Sequence, residues 1–387
     1  MQRRGFLLGS MAGLATASFM PAQAQAATGR KIAVIGAGII GASIAYHLAA
    51  RGAQVTVLEA KRPAAGATEN SFAWLNAFSK QPHAYYDLNL LGILAWHRLQ
   101  AELGSALPIQ WGGMVRWSNT DSSLERLQET LARQHEWGYP TRLIGADAIG
   151  ELLPGVTPGP VASAVFSAVE GTVNPKHVAE ILLAQAKRLG ASVEYPAVVT
   201  GFDRDGDRVR AVRTAAGAMD VDGVAIAAGL GTTALAGMLG ANVPVHSSIG
   251  ILAHTAAQPP MLSRIALGPG ANIKQNPDGG IVTGASFEGT PGLEATPELG
   301  NQLLRNAERF LPALKGVPLD FATAGHRVLP KDGFPIVGKL PGSANVHVAA
   351  MHSGMTLGAL MGQLVSGEML DGVRADLLAD FRPERFA

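Results

Sequence analysis

The amino-acid sequence predicts an α/β fold: one domain with a parallel sheet between helices, and an α+β lobe built on an antiparallel sheet. The first domain is indicated by a strand–turn–helix unit that begins near Lys31. A similar unit begins at Asn345, late in the chain. Between the two, residues 271–276 and 281–284 read as short strands around a turn at residues 277–280, which is typical of a β-hairpin.

Composition limits the class of protein. The 387 residues, 47% of them hydrophobic, suffice for two packed domains or for one large domain with an inserted lobe. Charged residues make up 16% and the formal net charge is +1, so no nucleic-acid partner is expected. The absence of cysteine excludes disulfides and thiolate metal sites. The histidines lack ligand spacing, so no metal site is expected.

The first residues are predicted to be an export signal. A basic start with Arg3 and Arg4, an apolar stretch to Met20 and small alternating residues up to Ala26 are typical of a cleaved signal peptide, residues 1–26. The paired arginines resemble the signal of the twin-arginine translocase, a partner during export. The mature protein is therefore expected in the periplasm. The alternative is an uncleaved anchor, although the apolar stretch is shorter than the ~20 residues of a membrane span.

The unit near Lys31 has the full context of a dinucleotide-binding fingerprint. Lys31–Ile35 is predicted as a strand, residues 42–51 as a helix, and Gln54–Leu58 as a second strand that closes on Glu59. The pattern G-x-G-x-x-G lies between the first strand and the helix. Together these features predict a Rossmann-type βαβ unit.

Each glycine of the fingerprint has a predicted role. Gly36 permits the tight turn, Gly38 lets the backbone reach a pyrophosphate, and Gly41 lets the helix pack on the strand. The helix N-terminus supplies unpaired N–H groups to the phosphates. Glu59 would accept hydrogen bonds from ribose hydroxyls and repel a 2′-phosphate, which argues against NADP. The alternative is a glycine turn without a ligand, and the fingerprint alone does not separate NAD from FAD.

Further motifs follow in a particular order. They are A-T-E-N-S-F-A-W at residues 67–74, V-A-I-A-A-G at residues 224–229, G-H-R-V-L-P-K-D-G-F-P-I-V-G at residues 325–338, and M-H-S-G-M-T-L-G at residues 351–358. This order resembles the glycine oxidase, D-amino-acid oxidase and sarcosine oxidase family of flavoenzymes. The resemblance implies FAD as the cofactor. Noncovalent FAD is expected, because cysteine is absent and no histidine occupies the segment just after the second strand, where some relatives attach flavin covalently.

The resemblance also implies which residues hold FAD. Residues 68–71 would contact the pyrophosphate and ribityl region, residues 72–74 would pass beside the isoalloxazine, and Val199 would meet the adenine side. The helix that starts at Gly354 would stabilise negative charge on the reduced ring. The predicted cofactor-binding set is Gly36, Gly38, Ile39, Ile40, Gly41, Glu59, Ala60, Lys61, Ala67, Thr68, Asn70, Ser71, Val199, Ala228, Gly229, Gly338, His352, Gly354, Met355 and Thr356.

Two residues are predicted to take part in the chemistry. The resemblance implies that Arg327 binds the substrate carboxylate, and the alternative is a structural ion pair, for example with Asp332. Lys274 shares a strand face with Asn272 and Asn276 by period two. In sarcosine oxidase relatives a lysine on a comparable strand promotes the reaction of reduced flavin with oxygen. The alternative for Lys274 is a solvated hairpin lysine.

The sequence departs from the family pattern at two places. Glycine oxidase relatives carry a tyrosine where Asn272 aligns, and a second arginine where Ser353 and Gly354 align. These differences weaken the case for glycine itself as the substrate. Four other side chains are candidates for the pocket, each with a packing or surface role as the alternative: Trp74, His246, Ser247 and His326.

The predicted FAD domain is discontinuous. It comprises residues 30–105, 150–242 and 322–387, and the substrate lobe comprises residues 106–149 and 243–321. The expected reaction is oxidation of a small amine or amino acid, secondary or D-configured, by hydride transfer to flavin, which gives an imine. Oxygen or a membrane-linked acceptor would reoxidise the flavin. The alternatives are an FAD-binding subunit or assembly factor without turnover, and an NAD-dependent dehydrogenase.

Overall fold

The fold has the two parts that the sequence predicts, a parallel-sheet domain and a lobe on a mainly antiparallel sheet. A computed structural model describes residues 29–120, 124–285 and 293–387. The signal peptide predicted for residues 1–26 lies outside the described residues. In the part of the chain that is described, no helix combines the length and the apolar character needed to cross a membrane.

The strands and helices are numbered in chain order. The strands are β1 Lys31–Ile35, β2 Gln54–Leu58, β3 Trp74–Leu75, β4 Gln110–Trp111, β5 Met114–Ser118, β6 Thr141–Leu143, β7 Ser163–Ser167, β8 Gly171–Thr172, β9 Ser192–Glu194, β10 Val199–Asp205, β11 Arg208–Thr214, β12 Gly217–Asp220, β13 Gly223–Ile226, β14 Val245–Ala257, β15 Ile265–Gly268, β16 Ala271–Gln275, β17 Gly280–Gly284, β18 Phe321–Pro330, β19 Ile336–Lys339 and β20 Val346–Ala350. The α-helices are α1 Ile39–Ala50, α2 His83–Leu103, α3 Leu124–Glu136, α4 Ala146–Leu152, α5 Pro175–Arg188, α6 Thr232–Gly237, α7 Pro297–Glu308 and α8 Gly354–Asp371.

The parallel sheet has the strand order β19-β20-β13-β1-β2-β9. Its pairs are parallel except at the edge, where β19 runs antiparallel to β20. The central strand β1 is buried from Ile32 to Ile35, as expected for a parallel strand that is covered on both faces. The strand–turn–helix unit predicted from Asn345 is confirmed as β20 and α8, and β20 lies two strands from β1.

Close contact between α1 and α8 brings their N-termini together. A Cβ at Gly358 would lie 3.0 Å from Ile39 Cγ1, and one at Gly362 would overlap the Ser43 hydroxyl. The absence of side chains at these two positions therefore lets the helices approach along their length. At the start of α5, the Asn174 side chain accepts a hydrogen bond from the backbone N–H of His177 at 3.1 Å and so caps the helix.

The second large sheet has the order β18-β14-β17-β16-β15-β5-β7-β6. It is antiparallel except between β15 and β5. The predicted hairpin is confirmed as β16 and β17, and α7 follows it in the chain. Two strands of this sheet come from ranges predicted for the FAD domain. β7, within residues 150–242, and most of β18, within residues 322–387, pair in this sheet because their partners are strands of the substrate lobe.

Two small sheets complete the fold. β10, β11 and β12 form an antiparallel meander, and β3 and β4 both pair with β8. The second of these joins the segment after β2 to the substrate lobe. Val199 begins β10, which follows the short strand β9 after α5.

Candidate active site

The turn between β1 and α1 requires glycine for two different reasons. Gly36 has φ +106°, in the region that favours glycine, and its Cβ would lie 2.9 Å from the Ala227 carbonyl carbon. A Cβ at Gly41 would overlap the carbonyl oxygen of Gly36. Gly38 is freer, since a Cβ there would meet only the Thr68 hydroxyl, at 3.0 Å. Gly36 and Gly41 are therefore needed by the fold itself.

The Glu59 carboxylate lies at the end of β2, beside this turn. It accepts hydrogen bonds from the backbone N–H groups of Ala37 and Lys61, both at 2.8 Å. Each oxygen so bound keeps lone pairs for a further donor. Glu59 is partly exposed, so a ribose hydroxyl can approach it. The position agrees with the ribose-binding role predicted from the sequence.

Thr68 occupies the N-terminus of α1, where a pyrophosphate would lie. Its hydroxyl accepts a hydrogen bond from the Ile39 N–H at 3.0 Å, and so caps the helix in place of the side chain that Gly38 lacks. Asn70 and Ser71 continue this segment, and the Ser71 hydroxyl accepts from the Ala73 N–H at 2.9 Å. The segment predicted for the pyrophosphate thus lies beside the glycine turn.

The second helix N-terminus, that of α8, lies next to the first. Gly354 is 3.7 Å from Ile40 Cγ1, measured from its idealised Cβ. His352 and Gly354 are partly exposed, whereas Met355 and Thr356 are buried and their carbonyls accept hydrogen bonds from Trp96 Nε1 at 2.8 and 3.1 Å. Two helix N-termini at one edge supply N–H groups to a pyrophosphate and to an anionic ring together.

The structure places the other predicted cofactor residues at varying distance from this edge. Ala228 and Gly229 follow β13 beside Gly36, and Ala60, Lys61 and Ala67 lie on the partly exposed segment after β2. Gly338 lies on the edge strand of the parallel sheet. It pairs with Val348 within β19, has φ +136°, and a Cβ there would lie 2.6 Å from Arg382 Nη1. Packing against Arg382 therefore requires glycine at this position, and its predicted contact with the flavin stays a prediction.

Arg327 lies on β18 and faces the dinucleotide domain. On the same strand face, Gly325 packs so closely on Asn70 that a Cβ would overlap the Asn70 carbonyl oxygen. Arg327 Nη1 donates to the Ser248 hydroxyl at 3.3 Å. Among the described residues it forms no ion pair, and the predicted alternative fails because Asp332 pairs with Arg385 at 2.7 Å.

Lys274 is fully buried, so the alternative of a solvated hairpin lysine is wrong. Its Nζ donates to the Val173 carbonyl at 2.7 Å and lies 5.6 Å from the centre of the Phe72 ring. Burial lowers the pKa of Lys274 to about 7, against the opposing influence of Asp278. Burial, together with the positive charge of Lys274, lowers the pKa of His254 to about 4.

Sequence reasoning missed a cluster on the loop before α2. Lys80 Nζ donates to the Ser353 hydroxyl at 3.0 Å, and the Tyr85 hydroxyl donates to the same oxygen at 2.9 Å. Burial lowers the pKa of Lys80 to about 8. No motif marks Lys80, and only its contact with Ser353 across the fold shows that it belongs to the site.

Glu170 is a second residue that the sequence did not indicate. It is fully buried, and its carboxyl accepts hydrogen bonds from Trp74 Nε1 and from the Tyr139 hydroxyl, both at 2.5 Å. Burial raises the pKa of Glu170 to about 8, although these donors and the charge of Lys80 oppose the shift. Trp74, one of the predicted pocket candidates, is thus held by Glu170.

The remaining pocket candidates lie on the surface. His246, Ser247 and His326 are exposed, and the Ser247 hydroxyl is 3.2 Å from His326 Nδ1. On β18 the side chains of His326 and Arg327 point to opposite faces of the sheet. The structure therefore gives these three residues surface positions.

The glycine turn, the acid after β2 and the two adjacent helix N-termini fit an adenine dinucleotide with a flavin ring, and together with the sheet above them they define a flavin-dependent oxidoreductase. Residues 31–367 match the family model described as FAD dependent oxidoreductase, known as DAO. The chain belongs to this family, and its cofactor is FAD.

Individual relatives extend the comparison. Glycine oxidase of Bacillus licheniformis is 28% identical over 365 residues, which cover 91% of this chain and 96% of that protein. A component of the opine oxidase of Agrobacterium tumefaciens is 26% identical over 377 residues, with 91% and 96% covered. The crystal structure of glycine oxidase from Geobacillus kaustophilus superposes with a TM-score of 0.83 at 23% identity, covering 92% of this chain and 100% of that one. That superposition shows the shared fold.

Proposed function

We propose that the protein oxidises a small amine or amino acid that bears a carboxylate. The observation that carries the proposal is Arg327, a partly buried guanidinium that faces the dinucleotide domain and lacks a carboxylate partner among the described residues. A planar guanidinium suits bidentate recognition of a carboxylate. Two relatives that align over nearly their whole length are named for glycine and opine oxidation, which supports a substrate of this kind.

When bound, FAD would accept the hydrogen and two electrons of the C–H bond beside the substrate nitrogen, and water would hydrolyse the resulting imine. The chain's own residues position the substrate. Arg327 holds the carboxylate and so fixes the direction of the reacting carbon. The positive charges of Arg327 and Lys80 lower the pKa of a bound ammonium, so that the nitrogen loses its proton before oxidation.

His352 lies near enough to both cations for their charges to act on its imidazole. Burial and the charges of Lys80 and Arg327 lower the pKa of His352 to about 4, so its imidazole is neutral at neutral pH. A neutral imidazole both donates and accepts hydrogen bonds. It can therefore orient the substrate nitrogen while leaving the carboxylate to the cations.

The acceptor of electrons from the reduced flavin is also part of the proposal. Lys274 lies beside Phe72, on the segment predicted to pass the isoalloxazine, and its charged form would stabilise the superoxide-like anion that forms when oxygen takes the first electron. Oxygen is therefore the proposed acceptor. A membrane-linked acceptor is the alternative. We also propose that FAD is bound noncovalently, whichever acceptor is used.

Anaerobic reduction tests the activity. The purified protein should be yellow, should release FAD on denaturation, and should bleach when a carboxylate-bearing amine is added without oxygen. A screen over secondary amines and D-amino acids identifies the class. Protein that dithionite bleaches but no amine bleaches would instead be an FAD-binding subunit without its own turnover.

We also propose export through the twin-arginine translocase to the periplasm. The support is the sequence of residues 1–26, above all the arginine pair. Replacing Arg3 and Arg4 with lysine should leave an unprocessed precursor in the cytoplasm, measured by immunoblot of cell fractions. Normal periplasmic delivery of the double variant would contradict this route.

A further inference from the structure

A cavity of about 480 Å³ lies at the edge of the parallel sheet opposite the glycine turn. Three parallel strands begin there: Arg30 precedes β1, Gly223 begins β13 and Asn345 precedes β20, and all three residues line the cavity. The last residues of α8, Met369 to Asp371, form another wall. The glycine turn follows the far end of β1, whose five residues place it roughly 17 Å away at 3.3 Å per residue. The cavity is therefore separate from the dinucleotide site.

Positive side chains outnumber carboxylates around this cavity. Five cations and three carboxylates line it, although the formal net charge of the whole chain is only +1. Each of the three carboxylates forms a salt bridge with an arginine, in the pairs Glu368–Arg382, Glu384–Arg374 and Asp371–Arg51. Among the residues that the structure describes, the other three lining cations form no ion pair; they are Arg30, Arg208 and Lys339. The protein itself thus leaves three positive charges of the cavity without a paired carboxylate.

The two arginines of this set are held in place by backbone carbonyls. Arg30 Nη1 donates to the Met369 carbonyl at 2.7 Å, and Arg208 Nη2 donates to the Asp222 carbonyl at 3.2 Å. The Asp222 carboxylate accepts a hydrogen bond from the Lys31 N–H at 2.8 Å and does not line the cavity. A guanidinium carries five N–H donors, so each arginine is fixed and still has donors for a ligand.

His347 and Lys339 stand next to each other in the cavity wall. They are direct partners in the antiparallel pair of β19 and β20, so their side chains lie on one face of the sheet. His347 is only 8% exposed, and its Nδ1 has no hydrogen-bond partner in the described chain. Burial lowers the pKa of His347 to about 4, so the imidazole is neutral at neutral pH. A neutral imidazole carries one N–H, which can donate to an anion beside the Lys339 ammonium.

We propose that this cavity is a second ligand site, which binds the phosphate group of a small molecule. A phosphate accepts hydrogen bonds through several oxygens, so a guanidinium fork, an ammonium and an imidazole N–H can share it. Its two negative charges also neutralise more of the three unpaired cations than one carboxylate can. The proposal involves no covalent step and does not depend on the proposed oxidation.

Calorimetric titration of the FAD-loaded protein at constant ionic strength tests the proposal. The probes are inorganic phosphate, glycerol 3-phosphate and acetate. Wild-type protein should bind one phosphate per chain, and acetate ~10-fold more weakly or less, the scale of one charged hydrogen bond. Tighter binding of glycerol 3-phosphate than of inorganic phosphate assigns the site to a phosphate ester, and the reverse order assigns it to the free ion.

Variants locate the bound phosphate. Lys339→Met and Arg208→Met should each weaken binding by ~10-fold or more, again the scale of one charged hydrogen bond. Lys339→Arg keeps the cation and should recover most of the affinity, which separates the loss of charge from misfolding. Lys331→Met, at an exposed lysine outside the cavity, removes the same charge and is the matched control. Arg327→Met should bind phosphate as the wild type does.

Three results would overturn the proposal. Wild-type protein that shows no saturable phosphate binding has no such site. Acetate binding as tight as phosphate binding, or an equal loss in Lys331→Met, would show that the surface charge attracts anions without recognising phosphate. Loss of phosphate binding in Arg327→Met but not in Lys339→Met would assign the anion to the proposed active site.

Discussion

The turn after β1 and the sheet face above it are built in opposite ways. In the turn, short-range backbone packing sets the residues, and a Cβ on Gly41 would strike the carbonyl of Gly36, five positions earlier. On the sheet face, Arg327 and Lys274 come from strands that are not adjacent, and Lys80 comes from a loop outside the sheet. The Gly36–Gly41 packing of the turn is therefore encoded locally, whereas the substrate half depends on the assembled fold, so mutations should act differently in each.

The largest effect is expected in the glycine turn after β1. Gly41→Ala places a methyl group against backbone that cannot move away. The variant should therefore lose bound FAD, and its free energy of unfolding should fall by ~3 kcal/mol or more. FAD content and urea unfolding of the apoprotein measure the two losses.

Gly38→Ala is the matched control for that change. Its methyl group would meet only the end of the Thr68 side chain at 3.0 Å. The apoprotein should keep its stability within ~1 kcal/mol, whereas FAD binding should weaken because the turn faces the pyrophosphate. Equal stability losses in both variants would show that the turn does not separate a folding glycine from a ligand-binding one.

The next largest effect is expected on the sheet face above the turn. Arg327→Met should leave FAD content and stability near wild type and lower kcat/KM for a carboxylate-bearing amine by ~2–5 kcal/mol, as expected when a charge pair is truncated. Arg213→Met, at an exposed ion pair on β11, is the control. Unchanged kinetics in Arg327→Met would show that the guanidinium serves only its contact with Ser248.

The same comparison explains what the sequence could predict. The fingerprint and the β16–β17 hairpin were found because each depends on neighbours within a few positions. Lys80 and Glu170 were missed because their surroundings come from residues far along the chain. Periodicity placed Lys274 on a strand face. It could not show that two distant segments, those of Phe72 and of Val173, cover this residue.

Lys274→Met tests a residue that lies on the substrate sheet and is buried against the segment of Phe72 from the cofactor half. Loss of the charge should slow reoxidation of reduced flavin by oxygen ~100- to 1000-fold, as for a preorganised charge near a developing anion. Anaerobic reduction by substrate should change much less. Stopped-flow traces of the two half-reactions separate these effects. Unaltered reoxidation would assign Lys274 a packing role.

The pH dependence of stability tests the burial of Lys274 independently of turnover. Its native pKa of about 7 is below its ordinary value of 10.5, so between these pH values the unfolded chain binds more protons than the native one. Stability from this residue should therefore rise with pH across that window, by up to ~1.4 kcal/mol per unit. The difference in unfolding free energy between wild type and Lys274→Met isolates this slope from that of Glu170. Parallel curves would contradict a depressed pKa.

The smallest expected effect lies where the two halves meet. Asn174 caps α5 through its side-chain oxygen and donates through Nδ2 to Asp278, in the turn between β16 and β17, at 2.6 Å. Asn174→Ala should cost ~1 kcal/mol, mostly from the lost cap. Asn174→Ser keeps a capping oxygen but not the reach to Asp278, so it should recover most of that loss if the cap dominates. Thr296→Ala removes the cap of α7 and is the matched control. Urea unfolding measures all three variants, and a full loss in Asn174→Ser would show instead that the contact between the two halves carries the stability.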